Sequence, residues 1–572
     1  MTKRKVADIV VDVLQAAGVK RCYGVVGDTL NHVTDAIRRS PIDWVHMRHE
    51  EAGAFAAGAE AYLTGGLTAC AGSCGPGSLH FINGIYEAHR NRAPVVLIAS
   101  QVASAELGID FPQEVEFRPL YAHCSVFCEA IMNPGQARRM ATLAAQAALT
   151  KRGVAVLVLP GDIAALEVDE GPAYAVHTPA PMTTPSSAEL DRIAALLAEG
   201  GRIAVYAGAG CEHAHDEVVK FCASLSAPMA HTSRAKDFLE PDNPFNVGMT
   251  GVFGAKAGFH AVTSCDTLVL LGCDFAWRQF YPKDARVIQI DIDPTHLGRR
   301  HPVEIGVIGD IGPTLAALQP RVKPLTDTAF LEQCLKLRAE DQGELERQAR
   351  EGRNDLIHPQ RLAALLDRHA ADDAIFTADG GSPMVWLLRH IAVNGRRRTL
   401  TSLLHGTMAN AMPQALGLKK ALPERQVIAL SGDGGLAMLL GDLLTAIQED
   451  IAVKIVVFNN GTLGFVELEM KVEGLVNAYT DLKNPDFARL AEVIGFKGWR
   501  VETGDALEDA VVQFLAHPGP ALLDVKVNRT ELVMPPKIEP AMAFGALLYS
   551  AKAVLGGHAG DVADLIQSNI RR

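Results

Sequence analysis

Two short polar motifs sit where apolar runs end. Ser431-Gly432-Asp433-Gly434-Gly435 follows Val427–Leu430, and Asn459-Asn460-Gly461 follows Lys454–Phe458. With a helix-like stretch to Gln448 between them, this reads as a βαβ unit, so both motifs lie at the carboxyl ends of neighbouring parallel strands. Gly432, Gly434 and Gly435 let the backbone approach a phosphate. Asp433, Asn460 and the carbonyl of Thr462 supply hard oxygens suited to Mg²⁺ held against phosphate oxygens. Either motif alone is equally a glycine turn with an Asp cap; the pair at this spacing points to a diphosphate site.

The elements that must position these residues follow from the hydrophobic pattern. Short Val/Ile/Leu runs recur at Val95–Ala99, Val154–Leu159, Ile203–Tyr206, Thr267–Leu271 and Val287–Asp291, separated by amphipathic stretches. Continuous apolar runs are the mark of buried parallel strands, which predicts doubly wound α/β domains. A length of 572 residues is too much for one core. Pro172, Pro179, Pro181 and Pro185 mark one seam, and the charged stretch from Arg338 to Asp355 another. The expected blocks are 1–182, 183–340 and 341–530, followed by a short C-terminal segment, 531–572.

The composition bounds the partners. A formal net charge of −12, with no Lys/Arg-rich block, argues against nucleic acid. The ten cysteines form no CxxC pair and read as buried thiols. Val6, Ile9, Val10, Val13 and Leu14 have helical spacing, unlike a secretory segment. No stretch gives the ~20 uninterrupted apolar residues of a bilayer helix. The expected location is cytoplasmic, with a peripheral position at a membrane left open.

The paired GDG and NN motifs are the thiamine diphosphate signature, and the chain resembles the thiamine-dependent pyruvate oxidase and acetolactate synthase group. The resemblance extends through Gly24-Val-Val-Gly-Asp28, Arg48-His-Glu-Glu-Ala52, Cys74-Gly-Pro-Gly77, His405-Gly-Thr-Met-Ala-Asn410 and Leu463-Gly-Phe-Val466. It implies that Glu50 is the carboxylate that protonates the cofactor's aminopyrimidine, with Glu51 structural. Met408 would wedge beneath the bent cofactor beside Thr407, and the Gly406 carbonyl would accept its amine proton. Gly380, Gly381 and Ser382 would form a second diphosphate wall. Gly461, Leu463 and Gly464 would complete the metal loop, Gln113 and Ser73–Gly77 would line the substrate side, and Phe465 would gate or carry electrons. Because Glu50 and Asp433 fall in different blocks, the resemblance implies at least a dimer, and a homotetramer by analogy.

The middle block lacks a GxGxxG fingerprint. It has Gly251-Val252-Phe253-Gly254, Asp274-Phe275-Ala276-Trp277-Arg278 and a strand ending at Asp291, which match the flavin domain of the resembled enzymes, with Asp310 near the adenine. The other reading is a vestigial domain kept for packing. Val562, Leu565, Ile566 and Ile570 give the last segment an amphipathic pattern, which the quinone-reducing branch of the group would place on a lipid surface. A tail docked on its own protein fits equally. The expected activity is oxidation of pyruvate to acetate and CO₂, with thiamine diphosphate, Mg²⁺ and FAD passing electrons to a membrane quinone at the inner face. The alternatives are an acetolactate synthase with a structural flavin and an oxygen-dependent oxidase forming acetyl phosphate.

Overall fold

The computed structural model describes residues 3–170, 172, 174–350, 356–529, 548–550 and 552. Three six-stranded sheets, each wholly parallel, form the body, as the apolar runs predict. The strand Val95–Gln101 is buried at every position, as is Val154–Pro160, because helices cover both faces of the sheet.

The first and third sheets share one strand order. Numbered along the chain, the third runs Arg398–Thr401, Ile375–Ala378, Val427–Gly432, Lys454–Asn459, Ala521–Lys526 and Lys497–Val501, which is 2-1-3-4-6-5. The first, starting from Arg21–Val25 as strand 1, repeats that order. The middle sheet runs Asn246–Met249, Met229–His231, Ile203–Ala207, Thr267–Leu271, Arg286–Asp291 and Ile305–Ile308, the 3-2-1-4-5-6 order of dinucleotide-binding folds. In each sheet the chain reverses direction beside strand 1, and the loops at that switch point diverge to leave a crevice.

One expectation needs correction in detail. The single helix expected from Gly435 to Gln448 is broken into Asp433–Met438, a turn at Leu440–Asp442 and Leu443–Gln448. The cause is Asp442, whose carboxylate turns to the first block, accepting the Arg48 amide at 2.9 Å as well as the Thr445 hydroxyl. Up to Arg350 the charged stretch after Arg338 belongs to the helix Ala329–Arg350.

The helix Val6–Ala16 forms where its apolar spacing places it, and Ser186 with Glu189 makes a reciprocal capping box on Ser187–Leu197. All ten cysteines are free thiols, and nine of them are buried. Among the described residues no helix is long and apolar enough to cross a membrane. The expected amphipathic pattern, Val562 to Ile570, lies outside the described residues. Earlier in the 531–572 segment, Tyr549 is buried under Lys471 of the helix Gly464–Val472, and Lys552 donates to the Gly474 carbonyl at 2.8 Å.

Candidate active site

The two motifs of the third block meet beside its switch point, at the ends of Val427–Gly432 and Lys454–Asn459. Gly432 and Phe458 pair across adjacent strands, so Asp433 and Asn460 leave the sheet side by side. Asp433 is 3% exposed and accepts the amides of Gly461 at 2.8 Å and Gly434 at 3.0 Å, and the Asn484 side chain at 2.7 Å. Burial pushes its carboxyl above the usual range, and no ion pair among the described residues offsets its charge. A buried carboxylate served only by dipoles is a site that a hard cation would complete.

The metal loop is held rigid from outside. The Asn460 carbonyl oxygen of the side chain accepts the Thr462 amide at 3.1 Å, while Gly461 takes φ 68° to make the turn. The Leu463 amide donates to Thr480 O and the Leu482 amide to Gly461 O, both at 2.9 Å. The Thr462 hydroxyl donates to buried Glu467 at 2.7 Å, leaving the Thr462 carbonyl as the oxygen for a metal. Of the two asparagines, Asn459 is structural, donating to Asp524 at 2.9 Å.

Side-chain ends crowd the glycines of this turn. A Cβ on Gly434 would stand 2.9 Å from Leu463 Cδ2 and 3.3 Å from Met408 Cε, and one on Gly464 would meet Asn460 Nδ2 at 2.6 Å. Met408, expected to wedge the cofactor, therefore does face the diphosphate turn. Its loop is tied to the second wall: the Gly380 amide donates to Thr407 O at 3.1 Å. Asp379, at the end of the first strand, accepts the Ala411 amide at 2.8 Å and the Gly432 amide at 3.2 Å, joining both walls. Burial pushes Asp379 up to about 7.

Glu50 opens the helix Glu50–Thr64, behind His49 as N-cap. It is 9% exposed, with His80 Nδ1 at 3.0 Å, and His49 stacks on His80 with ring centroids 4.8 Å apart. Within one chain no hydrogen bond among the described residues joins Glu50 to the Asp433–Asn460 pair. Glu51, taken as structural, accepts from Asn83 at 2.7 Å. Gln113 takes φ 71° and accepts from the Cys74 thiol at 3.3 Å, and Gly75 lies against it. The expected substrate-side residues of the first block are thus neighbours. His405 turns away toward Asn83 and Tyr86.

In the middle block, the switch point lies between Ile203–Ala207 and Thr267–Leu271, where glycines pack on glycines. A Cβ on Gly208 would meet Gly272 O at 2.4 Å. Gly251, at φ 100°, stands over the Phe275 ring, where a Cβ would be 2.7 Å from Cζ. Two buried hydroxyls here, Thr250 Oγ1 and Tyr206 Oη, lack hydrogen-bond partners among the described residues. Asp274 is paired with Arg299 and Arg300, which hold it below the usual carboxylate range against its partial burial. Asp291 accepts the Asp293 amide at 3.0 Å beside His296, and Asp310 accepts the Thr183 amide at 2.6 Å. Ala276, Trp277 and Arg278 are exposed, and Val252 is half-buried.

The middle and third blocks touch where the two candidate cofactor sites approach. Phe253 and Phe465 have ring centroids 6.4 Å apart. Arg389, from helix Ser382–His390, donates to Phe253 O at 3.1 Å and Gly254 O at 3.4 Å. Sequence reasoning missed Asn484, Glu467 and Arg389, which belong to no motif. Asp379 had a signal, an acid at a strand end before Gly380-Gly381.

Three parallel sheets, two of one order flanking a dinucleotide-type sheet, with this acid–asparagine pair, define a thiamine diphosphate enzyme. The sequence agrees: it matches the thiamine pyrophosphate enzyme N-terminal TPP binding domain over 4–120, the central domain over 190–318 and the C-terminal TPP binding domain over 379–525. The chain belongs to the thiamine pyrophosphate enzyme family, in its pyruvate oxidase and acetolactate synthase group. It is similar to a protein of Bacillus subtilis (strain 168) provisionally named as thiamine pyrophosphate-containing, 33% identical over 96% of each chain. It is also similar to the pyruvate oxidase of Lactiplantibacillus plantarum, 30% identical over 91% of this chain and 88% of the relative. The acetolactate synthase isozyme 2 large subunit of Escherichia coli (strain K12) is 31% identical over 92% of this chain and 96% of its own.

Proposed function

We propose that this chain oxidises pyruvate to acetate and CO₂ with thiamine diphosphate, Mg²⁺ and FAD, and passes the electrons to a membrane quinone. When bound, thiamine diphosphate supplies the carbon nucleophile and FAD takes up two electrons. The residues fit both groups. Asp433, Asn460 and the Thr462 carbonyl would hold the Mg²⁺, and the glycine turn with Gly380–Ser382 would face the diphosphate. The orphaned Thr250 and Tyr206 hydroxyls and the glycine crevice around Gly208, Gly251 and Gly272 suit a flavin nucleotide.

Each catalytic side chain then has one task. Glu50 would hold a proton for the cofactor's pyrimidine ring, the Gly406 carbonyl would accept a hydrogen bond from its amine, and Met408 would pack against the cofactor beside the diphosphate turn. Ser73–Gly77 and Gln113 bound the pocket for the short keto acid. Glu50 lies with the first block's contacts and not with Asp433, which supports a homo-oligomer, a homotetramer by family analogy, in which Glu50 of one copy completes the site of another. The C-terminal segment would bring this assembly to a lipid surface.

The observation that carries the oxidase reading is the Phe253–Phe465 pair. It joins the candidate flavin loop to the helix that starts at the metal loop, where electrons must pass. The test is anaerobic mixing of the flavin-loaded enzyme with pyruvate while flavin absorbance is followed. Bleaching that recovers on adding a quinone is expected. Acetolactate formation without bleaching would overturn the proposal in favour of a synthase, and recovery only with oxygen and phosphate would point to an acetyl phosphate-forming oxidase.

A further inference from the structure

The segment between Thr401 and Ala411, which carries Gly406, Thr407 and Met408, is not a relaxed turn. Gly406 has φ 74°, and Ala409, only 5% exposed, is held at φ 63°, a left-handed conformation that an alanine keeps only when its surroundings impose it. Part of that constraint comes from the third block, through Asp379 and Gly380. The rest comes from the first block, from one face of the helix Ile82–Arg90.

Asn83, Tyr86 and Glu87 stand at spacings of three and four residues and so share a face. All three meet the segment. Asn83 donates to the Thr407 hydroxyl at 3.1 Å, and its side-chain oxygen lies 2.7 Å from His405 Nε2. The Tyr86 ring stacks on His405 at 5.5 Å with 8° between planes. Glu87 accepts the Ser402 hydroxyl at 2.6 Å, and Ser402 Oγ accepts the Thr407 amide at 3.0 Å. Ser402 is therefore a relay between a carboxylate of the first block and a backbone amide of the third.

The amide in question belongs to the same peptide plane as the Gly406 carbonyl. In a trans peptide the C=O and the following N–H point in opposite directions. Whatever holds the Thr407 N–H on one side aims the Gly406 oxygen to the other. Glu87 is 2% exposed and Ser402 1%, so neither bond is weakened by solvent, and the second Glu87 oxygen is engaged by Asn91 at 2.6 Å. Burying a carboxylate is unfavourable without such partners. An apolar contact would hold the helices together as well; it would not orient a carbonyl.

We propose that Glu87 and Ser402 are positioning residues that aim the Gly406 carbonyl at the cofactor's amine, by gripping the opposite edge of its peptide plane. The role depends on the assignment of Gly406–Met408 to the cofactor's reactive end. Removing the relay leaves the diphosphate turn and metal ligands untouched, so it affects readiness for reaction more than affinity.

The test measures exchange of the bound cofactor's thiazolium C2 proton for deuterium, by quenched-flow NMR without pyruvate. It uses Ser402→Ala, Glu87→Ala, Glu87→Gln and, as a reference, Met408→Ala. Thiamine diphosphate affinity and thermal unfolding are recorded beside it. Ser402→Ala and Glu87→Ala are expected to slow exchange by about 10- to 100-fold, the scale of a small misplacement of a reacting group. Cofactor affinity should stay within about threefold of wild type. Glu87→Gln keeps an oxygen for Ser402 and should restore most of the rate. Wild-type exchange in Ser402→Ala alongside slow exchange in Met408→Ala would overturn the relay and keep the segment's assignment. Wild-type exchange in Met408→Ala as well would overturn that assignment itself. A fall in affinity that matches the fall in exchange would reduce the relay to a structural contact and also overturn the proposal.

Discussion

The switch points of the third and middle sheets solve similar problems by different means. At the third, the polar groups close on one another: Asp433 with Gly461 and Asn484, Asn459 with Asp524, Thr462 with Glu467, and Asp379 across both walls. At the middle, glycines approach the backbone, aromatic rings cluster about Phe275, and the loop at Phe253 is tethered by an arginine from another block. A hard, highly charged ligand needs a rigid local set of oxygens and amides. A large, mostly apolar ring system needs a shaped crevice, which neighbouring blocks can supply. The first site should therefore be sensitive to single local changes, and the second to changes at a domain contact.

The largest effect should come from the local set. Asp433→Ala removes the buried carboxylate that leaves the sheet beside Asn460. It should weaken Mg²⁺-dependent thiamine diphosphate binding by on the order of 100-fold or more, read by calorimetry, while flavin content is kept. Equal loss of flavin would show that the two sites are not independently built. Glu50→Gln should do the converse at the thiamine end, with cofactor bound near wild-type affinity and turnover down by about 10²–10⁴-fold, the usual contribution of a proton-transferring side chain. Near-normal turnover would remove Glu50 from the chemistry.

How much was legible beforehand follows the same division. The central strands are legible because each is a continuous apolar run, and Thr267–Leu271 forms over the expected residues, whereas Arg398–Thr401 and Lys497–Val501, at the sheet edges, carry charged residues and no such signal. The Asp433–Asn460 pair was visible because a βαβ unit places two sequence-local motifs together. The contacts that complete the sites were not visible, because they join distant positions. Ser402 and Glu87 are 315 positions apart, and Arg389 and Phe253 are 136 apart. Asn484 sits in Asp481-Leu-Lys-Asn484, where no spacing announces it. The break at Asp442 was hidden for the same reason, since its cause is an amide in the first block.

Arg389 tests the tethered side. Its guanidinium is half-buried and lowered to about 10 by desolvation, so its bonds to the Phe253 and Gly254 carbonyls are made in a partly desolvated place. Arg389→Met keeps most of the volume and loses both donors. FAD affinity should fall by about tenfold, roughly 1.4 kcal/mol, which is less than two charge-assisted bonds because the loop has other packing. Thiamine diphosphate affinity should be unchanged. A loss confined to the thiamine site would reverse the comparison.

The smallest expected effect is a slope in stability against pH, and its largest part at the site belongs to the third switch point. Asp379 has an ordinary carboxyl value of 3.8 and is pushed up to about 7 by burial in the fold. Between those values the folded chain keeps a proton that the unfolded chain has released. Stability from this group is therefore greatest at low pH, declines as pH rises from about 4 toward 7, and levels off above. Asp442, pushed up to about 6 by the same cause, adds a weaker slope of the same sign. The cofactor-free protein should thus lose a few degrees of melting temperature between pH 5 and pH 8 from these groups. Asp379→Asn, which stays neutral and keeps an oxygen for the Ala411 amide, should flatten most of that loss and leave the part due to Asp442. An unchanged slope in Asp379→Asn would mean that the carboxylate is charged throughout. The bonds from Ala411 and Gly432 would then outweigh its burial, and the two walls of the diphosphate crevice would be joined by an ion as rigid as Asp433 itself.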